Sequence, residues 1–149
     1  MTVTIILITA ANWRTYIELA IDPSQEGFVA PNVRSIAQAR VEPWWEIYGV
    51  CFEGEPIGFT MFVRVPELET YWITRLMIDA AHQGNGYGRA AMEVVLAELN
   101  ARDDCTEVWI SFVPQNAAAR KLYLSLGFED LNRFEGGEVI FRRVMGQGR

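Results

Sequence analysis

A single mixed α/β domain is what the sequence predicts, on three observations. Strand-like and helix-like patterns interleave in the order β, α, α, β, β, β, α, β, α, β, β. A glycine cluster joins the strongest strand pattern to a long amphipathic helix pattern. No repeat, low-complexity tract or linker-like shift in composition divides the 149 residues, a length that suits one core.

Residues 3–9 read as a first strand, too short an apolar run to span a bilayer, and no Lys or Arg precedes it as a targeting segment would require. Asn12 is placed to cap a short helix carrying Trp13, Tyr16, Ile17 and Ala20 at helical spacing, which Asp22-Pro23-Ser24 ends. A second helix is expected over 32–41 and stops before Pro43. Residues 46–52 and 56–65 form a hairpin about Glu53-Gly54-Glu55. Residues 71–79 are the strongest strand. They run into Gln83-Gly84-Asn85-Gly86-Tyr87-Gly88 and then a helix to about Asn100, with Ala91, Val94, Val95 and Leu99 as its apolar stripe. Residues 107–113 make another strand. Asn116 caps a last helix that Gly127 terminates, and strands 128–132 and 138–145 close the chain around Glu135-Gly136-Gly137, with a frayed tail.

Half of the residues are hydrophobic and 21% charged, which is globular composition. A net charge of −6 offers no basic face for nucleic acid and suits steering of a cationic ligand. Cys51, Cys105 and the lone His82 have no metal-ligand spacing, so the thiols are read as core residues and no metal is expected.

A strand that ends in a glycine turn and opens a helix presents several backbone N–H groups at the positive end of a helix dipole, which is an anion site. The spacing of Gly84, Gly86 and Gly88 is GxGxG rather than the dinucleotide GxGxxG, and Arg89-Ala90 stands where a Walker loop needs Lys and then Ser or Thr. Both nucleotide classes are therefore disfavoured.

The segment Gln83-x-x-Gly86-x-Gly88, after Leu76-Met77-Ile78-Asp79, resembles the acetyl-CoA signature of the GNAT acetyltransferases. A second block, Asn116-Ala117-Ala118-Ala119-Arg120-Lys121-Leu122-Tyr123 with Leu126-Gly127-Phe128, resembles that family too. The resemblance covers nearly the whole chain and implies a central mixed, mostly antiparallel sheet flanked by helices. It also implies a cytoplasmic N-acetyltransferase that uses acetyl-CoA as cosubstrate. By the same resemblance, the amides of Gln83, Gly84, Asn85, Gly86, Tyr87, Gly88 and Arg89 hold the pyrophosphate. The backbone of Met77 and Ile78 pairs with the pantetheine arm, and Asn116 hydrogen-bonds it. Arg120 and Lys121 meet the 3′-phosphate end or serve as solvated helix residues.

Transfer to an amine needs a proton acceptor for the ammonium and a donor for the leaving thiolate. Asn116 and Tyr123 are seven residues apart, about two helical turns, and share one face. The family places a tyrosine there as the acid, a role the resemblance gives to Tyr123. Its frequent strand glutamate is missing here, where Thr74 and Arg75 stand instead. Proton removal through ordered water, helped by Glu46, Glu69 or a backbone carbonyl, takes its place, and Arg75 has no assigned role.

Residues 23–32, 35–39, 58–61 and 71–79 further resemble the bacterial diamine and polyamine acetyltransferases, which implies a spermine-like or spermidine-like substrate. Glu42, Trp44, Trp45, Glu46 and Tyr48 offer carboxylates and aromatic faces for such a cation, or form an apolar patch edged by surface acids. A peptide amine, an aminoglycoside or a non-catalytic CoA-binding role are the alternatives. Phe134 and Phe141 on the closing hairpin suit either a homodimer surface or the core.

Overall fold

The computed structural model describes residues 2–146, so the last three residues of the tail lie outside it. Seven strands of the described residues form one sheet: β1 (Val3–Leu7), β2 (Trp45–Phe52), β3 (Glu55–Val65), β4 (Thr70–Ile78), β5 (Glu107–Phe112), β6 (Glu129–Glu135) and β7 (Glu138–Val144), in the order β1-β2-β3-β4-β5-β7-β6. All neighbours are antiparallel except β4 and β5. Helices α1 (Trp13–Ile17) and α2 (Asn32–Val41) cover one face, while α3 (Tyr87–Asn100) and α4 (Ala117–Ser125) cover the other. The expected order of elements is the observed one, with three short 3₁₀ turns added at Pro23–Gln25, Pro66–Leu68 and Ala80–His82.

Period-two alternation explains both layers. On β2, Trp45 and Ile47 pack with Phe59, Met61 and Met77 under α1 and α2, whereas Tyr48 and Val50 turn to the α3 side. The larger core lies there, built from Met92, Val95 and Leu99 of α3, Tyr123 of α4, and Phe62, Ile110 and Phe141 of the sheet. Cys51 and Cys105 are buried, as expected of core thiols. Phe141 is core and Phe134 is exposed, so the two are not one surface.

Both positions of the β2–β3 turn, Glu53 and Gly54, have positive φ, the twist-matched geometry of a tight hairpin. Asn116 caps α4 as its position predicts, accepting from the Ala119 amide at 3.1 Å. Asn12 does not cap α1. Its side chain folds back on the end of β1, accepting from the Thr9 amide and donating to the Leu7 carbonyl.

Two irregularities shape β4. Pairing with β3 runs Met61 to Arg75 but Phe62 to Ile73, so Thr74 is an extra residue, a β-bulge. Pairing with β5 covers only Thr70–Ile73 against Glu107–Ile110. From Thr74 onward the two strands part, and the sheet opens into a gap between them. The extra residue also resets the alternation: Ile73 faces the α3 core, and Arg75, which would face it too in a regular strand, lies on the α2 side.

Candidate active site

A cleft of about 270 Å³ occupies this gap, walled by the second half of β4, the end of β5, α4 and the glycine turn. A strand's N–H and C=O groups alternate between its two neighbours. The Asp79 amide donates to the Ile57 carbonyl at 2.8 Å, and a Cβ on Gly58 would stand 2.4 Å from the Met77 carbonyl, so Met77 and Asp79 turn their polar groups to β3. Alternation then directs those of Leu76 and Ile78 into the gap. Leu76 therefore replaces Met77 as the residue whose main chain is open to a ligand. The Ile78 carbonyl accepts from Gln83 Nε2 at 2.9 Å, and the same nitrogen donates to Gln25 Oε1 at 2.9 Å, which ties the 3₁₀ turn at Pro23–Gln25 to the strand end.

The glycine turn forms the end wall. Gly84 and Gly86 both have positive φ, the αL conformation glycine adopts without strain, and Gly86 is the N-cap of α3. The first helical bond is Ala90 N–H to Gly86 O, which leaves the amides of Tyr87, Gly88 and Arg89 without helical partners at the positive end of a 14-residue helix. A Cβ on Gly88 would meet only Ile78 and Leu122, both at 4.0 Å and both walls of the cleft, so glycine here keeps room for a ligand rather than avoiding a clash. Paired N–H donors, a glycine cradle and a free strand edge fit the diphosphate and amide-bearing arm of a coenzyme A thioester.

Gln83, Gly84, Gly86, Tyr87 and Gly88 line this cleft, as do Asn116 and Tyr123. The Asn116 carbonyl oxygen is committed to its cap, which leaves its amide nitrogen as the available donor. Asn85 turns its side chain back onto the His82 and Gln83 carbonyls. Arg89 is held by Ser125 and Glu93, and Arg120 by Asp130, so neither guanidinium is directed at the cleft, and Lys121 is exposed on α4. His82 sits between Asp79 and Glu55 at 3.3 and 3.4 Å.

Tyr123 is buried between Phe112 and Phe128, with ring centroids 5.4 and 5.9 Å away. Burial pushes its phenol above the ordinary tyrosine value, so it holds its proton across the neutral and mildly alkaline range. A protonated phenol at the cleft wall can give a proton to a leaving thiolate.

A second, wider cleft of about 930 Å³ opens on the α1/α2 face, and the two share Ile21, Phe28, Val29, Thr74, Arg75, Met77 and Ser111. They meet at the bulge. The expected amine cage is not assembled there. Trp45 lines the wider cleft and donates to Glu42 at 2.7 Å, and Trp44 is exposed. Glu46 and Tyr48 belong to the opposite face, because neighbours along a strand point opposite ways. Glu46 takes both Arg102 nitrogens at 2.7 and 2.9 Å and accepts from Tyr48 at 2.9 Å. That pair holds the Arg102 guanidinium above its usual value, and Arg102 in turn stacks over Phe62 and Tyr71. Glu46 is thus neither a cage wall nor a proton acceptor for the amine. Glu69 fails in the latter role too, since it precedes β4 at the end away from the gap. Replacing Glu46 with Gln should destabilise the fold by about 1.5–3 kcal/mol, the range for a charge-assisted hydrogen bond, and leave the amine KM unchanged. Denaturant melts and steady-state kinetics check both halves.

The acceptor side of the site was the part least visible in sequence. Ser111 and Arg34 carry no motif. The alternation of β2, however, was enough to separate Trp45 from Glu46.

Residues 8–128 match the model of the acetyltransferase (GNAT) family. The chain is 24% identical to the spermine/spermidine N(1)-acetyltransferase of Bacillus subtilis, over 97% of this chain and all of that one. Its fold superposes on an aminoglycoside acetyltransferase solved in complex with coenzyme A, with a TM-score of 0.81 at 16% identity, covering 96% of this chain and 95% of that one. For the spermidine N-acetyltransferase of Vibrio cholerae, solved with CoA and spermine, the TM-score is 0.74 at 14% identity, covering 94% and 92%. The chain belongs to the GNAT family and is an acetyl-CoA-dependent N-acetyltransferase.

Proposed function

We propose that the protein acetylates a primary amine of a small molecule that carries two or more amino groups, the class to which diamines and polyamines belong, with acetyl-CoA in the β4–β5 gap and the amine entering from the wider cleft. The observation that carries this reading is the meeting of the two clefts at Thr74, Arg75 and Ser111, with Tyr123 lining the narrower one. Asp22, Glu26, Glu135 and Glu138 line the wider cleft, a carboxylate-rich approach for a cation. The Bacillus subtilis relative named for spermine and spermidine supports the same class. The width of this cleft also favours an aminoglycoside as a second reading.

Acetyl-CoA supplies the activated acyl group: the amine nitrogen bonds to the thioester carbonyl carbon, the C–S bond breaks, and an N-acetyl amide and a free thiol result. Around that exchange the chain has four tasks. Amides at the start of α3 hold the diphosphate. The Leu76 main chain and the Asn116 amide hold the arm, and the Leu76 or Ile78 N–H faces the carbonyl oxygen. Tyr123 gives its proton to the sulfur and regains one shed by the nitrogen. The acceptor arrives as an ammonium, and because Thr74 is no carboxylate base, the proton it loses before attack leaves through water in the open acceptor cleft; the second proton, shed by the nitrogen after attack, is the one that restores Tyr123. A cytoplasmic setting, where acetyl-CoA is available, goes with this reading.

A thiol-release assay across diamines, polyamines, monoamines, aminoglycosides and peptides tests it. Among these compounds, those with two or more amino groups on a short aliphatic chain are expected first in kcat/KM. Release with peptides alone, or with no amine at all, would overturn the assignment.

A further inference from the structure

Arg75 is out of place in a pocket for polycations. It stands where the two clefts meet, half-buried, and Arg34 lines the same wider cleft. Arg64, Arg89, Arg102, Arg120, Arg133 and Arg142 each hold a carboxylate. Among the described residues, Arg14, Arg34, Arg40, Arg75 and Arg143 hold none, and of these only Arg75 and Arg34 line the wider cleft. A guanidinium has five N–H donors in a planar fork, and only Nη1 of Arg75 is engaged, by Gln38 Oε1 at 2.8 Å and the Met61 sulfur at 3.1 Å. Its Nε and Nη2 make no hydrogen bond with the described residues.

Such a group is costly to leave as it is. Burial lowers the pKa of Arg75 first, and the charge of Arg34 lowers it further, with Glu138 and Glu42 offsetting this from beyond ion-pair reach. An anion brought to the open side of the fork would relieve both effects, and a carboxylate matches the fork's geometry. The bulge at Thr74 is what puts the fork on the acceptor side. The carboxylates of the wider cleft remain for a second, cationic group, and Glu26 and Glu138 among them form no ion pair with the described residues.

Resting on the acetyl-transfer reading above, we propose that Arg75, with Arg34, binds a carboxylate on the acceptor itself, so that the amine acetylated belongs to a small diamino acid rather than to a simple diamine. The carboxylate lies close to the reacting nitrogen, because Arg75 borders the point at which the acyl group is delivered. The distal ammonium reaches toward Glu26 and Glu138. A polyamine would instead set a bare cation against an unpaired guanidinium.

Matched acceptors that differ only in the carboxylate test this: ornithine against 1,4-diaminobutane, and 2,4-diaminobutyrate against 1,3-diaminopropane. The wild type should favour the carboxylated member of each pair by about 10-fold or more in kcat/KM, the scale of a charge-assisted hydrogen bond. Arg75→Gln should erase that preference, mainly through KM, by lowering the carboxylated member and sparing the diamine. Arg34→Gln, at an exposed position, should weaken the preference in the same direction without risk to folding. Equal or better turnover of the plain diamines by the wild type overturns the proposal. An Arg75→Gln loss shared equally by both members also does, since that would place Arg75 on the cosubstrate. If no amine releases thiol, the transfer reading fails instead. Calorimetry of ornithine and 1,4-diaminobutane with the CoA-bound protein then decides the carboxylate question alone: tighter ornithine binding upholds it and equal binding ends it.

Discussion

Replacing Tyr123 with Phe should lower kcat about 100-fold, at the low end of what a positioned acid contributes, with coenzyme A affinity nearly unchanged. The hydroxyl is the only atom removed, and the ring keeps its packing between Phe112 and Phe128, so stability should hold. The pH profile adds a second check. The reacting amine must be neutral, so the rate rises with pH as the ammonium is lost. A phenol raised above its ordinary value keeps its proton through that range, so Tyr123 should not impose a falling limb below about pH 10. Rapid-quench kinetics with a fixed amine, together with calorimetry for coenzyme A, separate the chemical step from binding. Unchanged turnover in the variant, or a fall in coenzyme A affinity equal to the fall in rate, would remove Tyr123 from the acid role.

The second large effect concerns Gly88. Asp at this position should reduce coenzyme A affinity by about 100-fold or more, since a carboxylate beside a diphosphate is a like-charge contact costing several kcal/mol. Folding should not suffer. The Cβ has 4.0 Å to its nearest neighbours, the position lies in the first turn of α3 where a negative charge is favoured, and Asp is a better helix residue than Gly. A retained melting temperature together with lost calorimetric binding is the expected pair of results. Wild-type affinity in the variant would mean that the cosubstrate does not lie against this turn. Gly49 offers the contrast, because a Cβ there would stand 2.1 Å from the Tyr16 ring, so its glycine serves packing and not a ligand.

How much of this was legible in the chain divides along physical lines. Features set by local chemistry were readable: α2 over its full length, the Glu53-Gly54 hairpin, the Asn116 cap, the Gly127 stop and the glycine turn that opens α3 all depend on residues adjacent in sequence. Features set by pairing between strands were not. Nothing within residues 71–79 marks Thr74 as an extra residue, because a bulge is defined by its partner strand. The family resemblance gives Met77 as the open position where pairing with β3 leaves the main chain of Leu76 open instead, and the residues of the stretch by themselves assign Arg75 no role. Glu46 is misplaced by its sequence neighbourhood for a different reason: residues clustered in sequence are not clustered in space when a strand parts its neighbours to opposite faces.

The short contact between β4 and β5 bears on how the protein responds to its cosubstrate. Among the described residues, the strand ladder joining the β1–β4 half of the sheet to the β5–β7–β6 half is confined to Thr70–Ile73 against Glu107–Ile110, with the Thr106 amide on the Glu69 carbonyl and Trp72 on Ser111, both at 3.0 Å, beside it. A molecule laid along Leu76 on one side and against α4 on the other would act as a rivet across that tear. Its departure as the bare thiol would leave the two halves held by that four-residue stitch, the few bonds beside it and the helices.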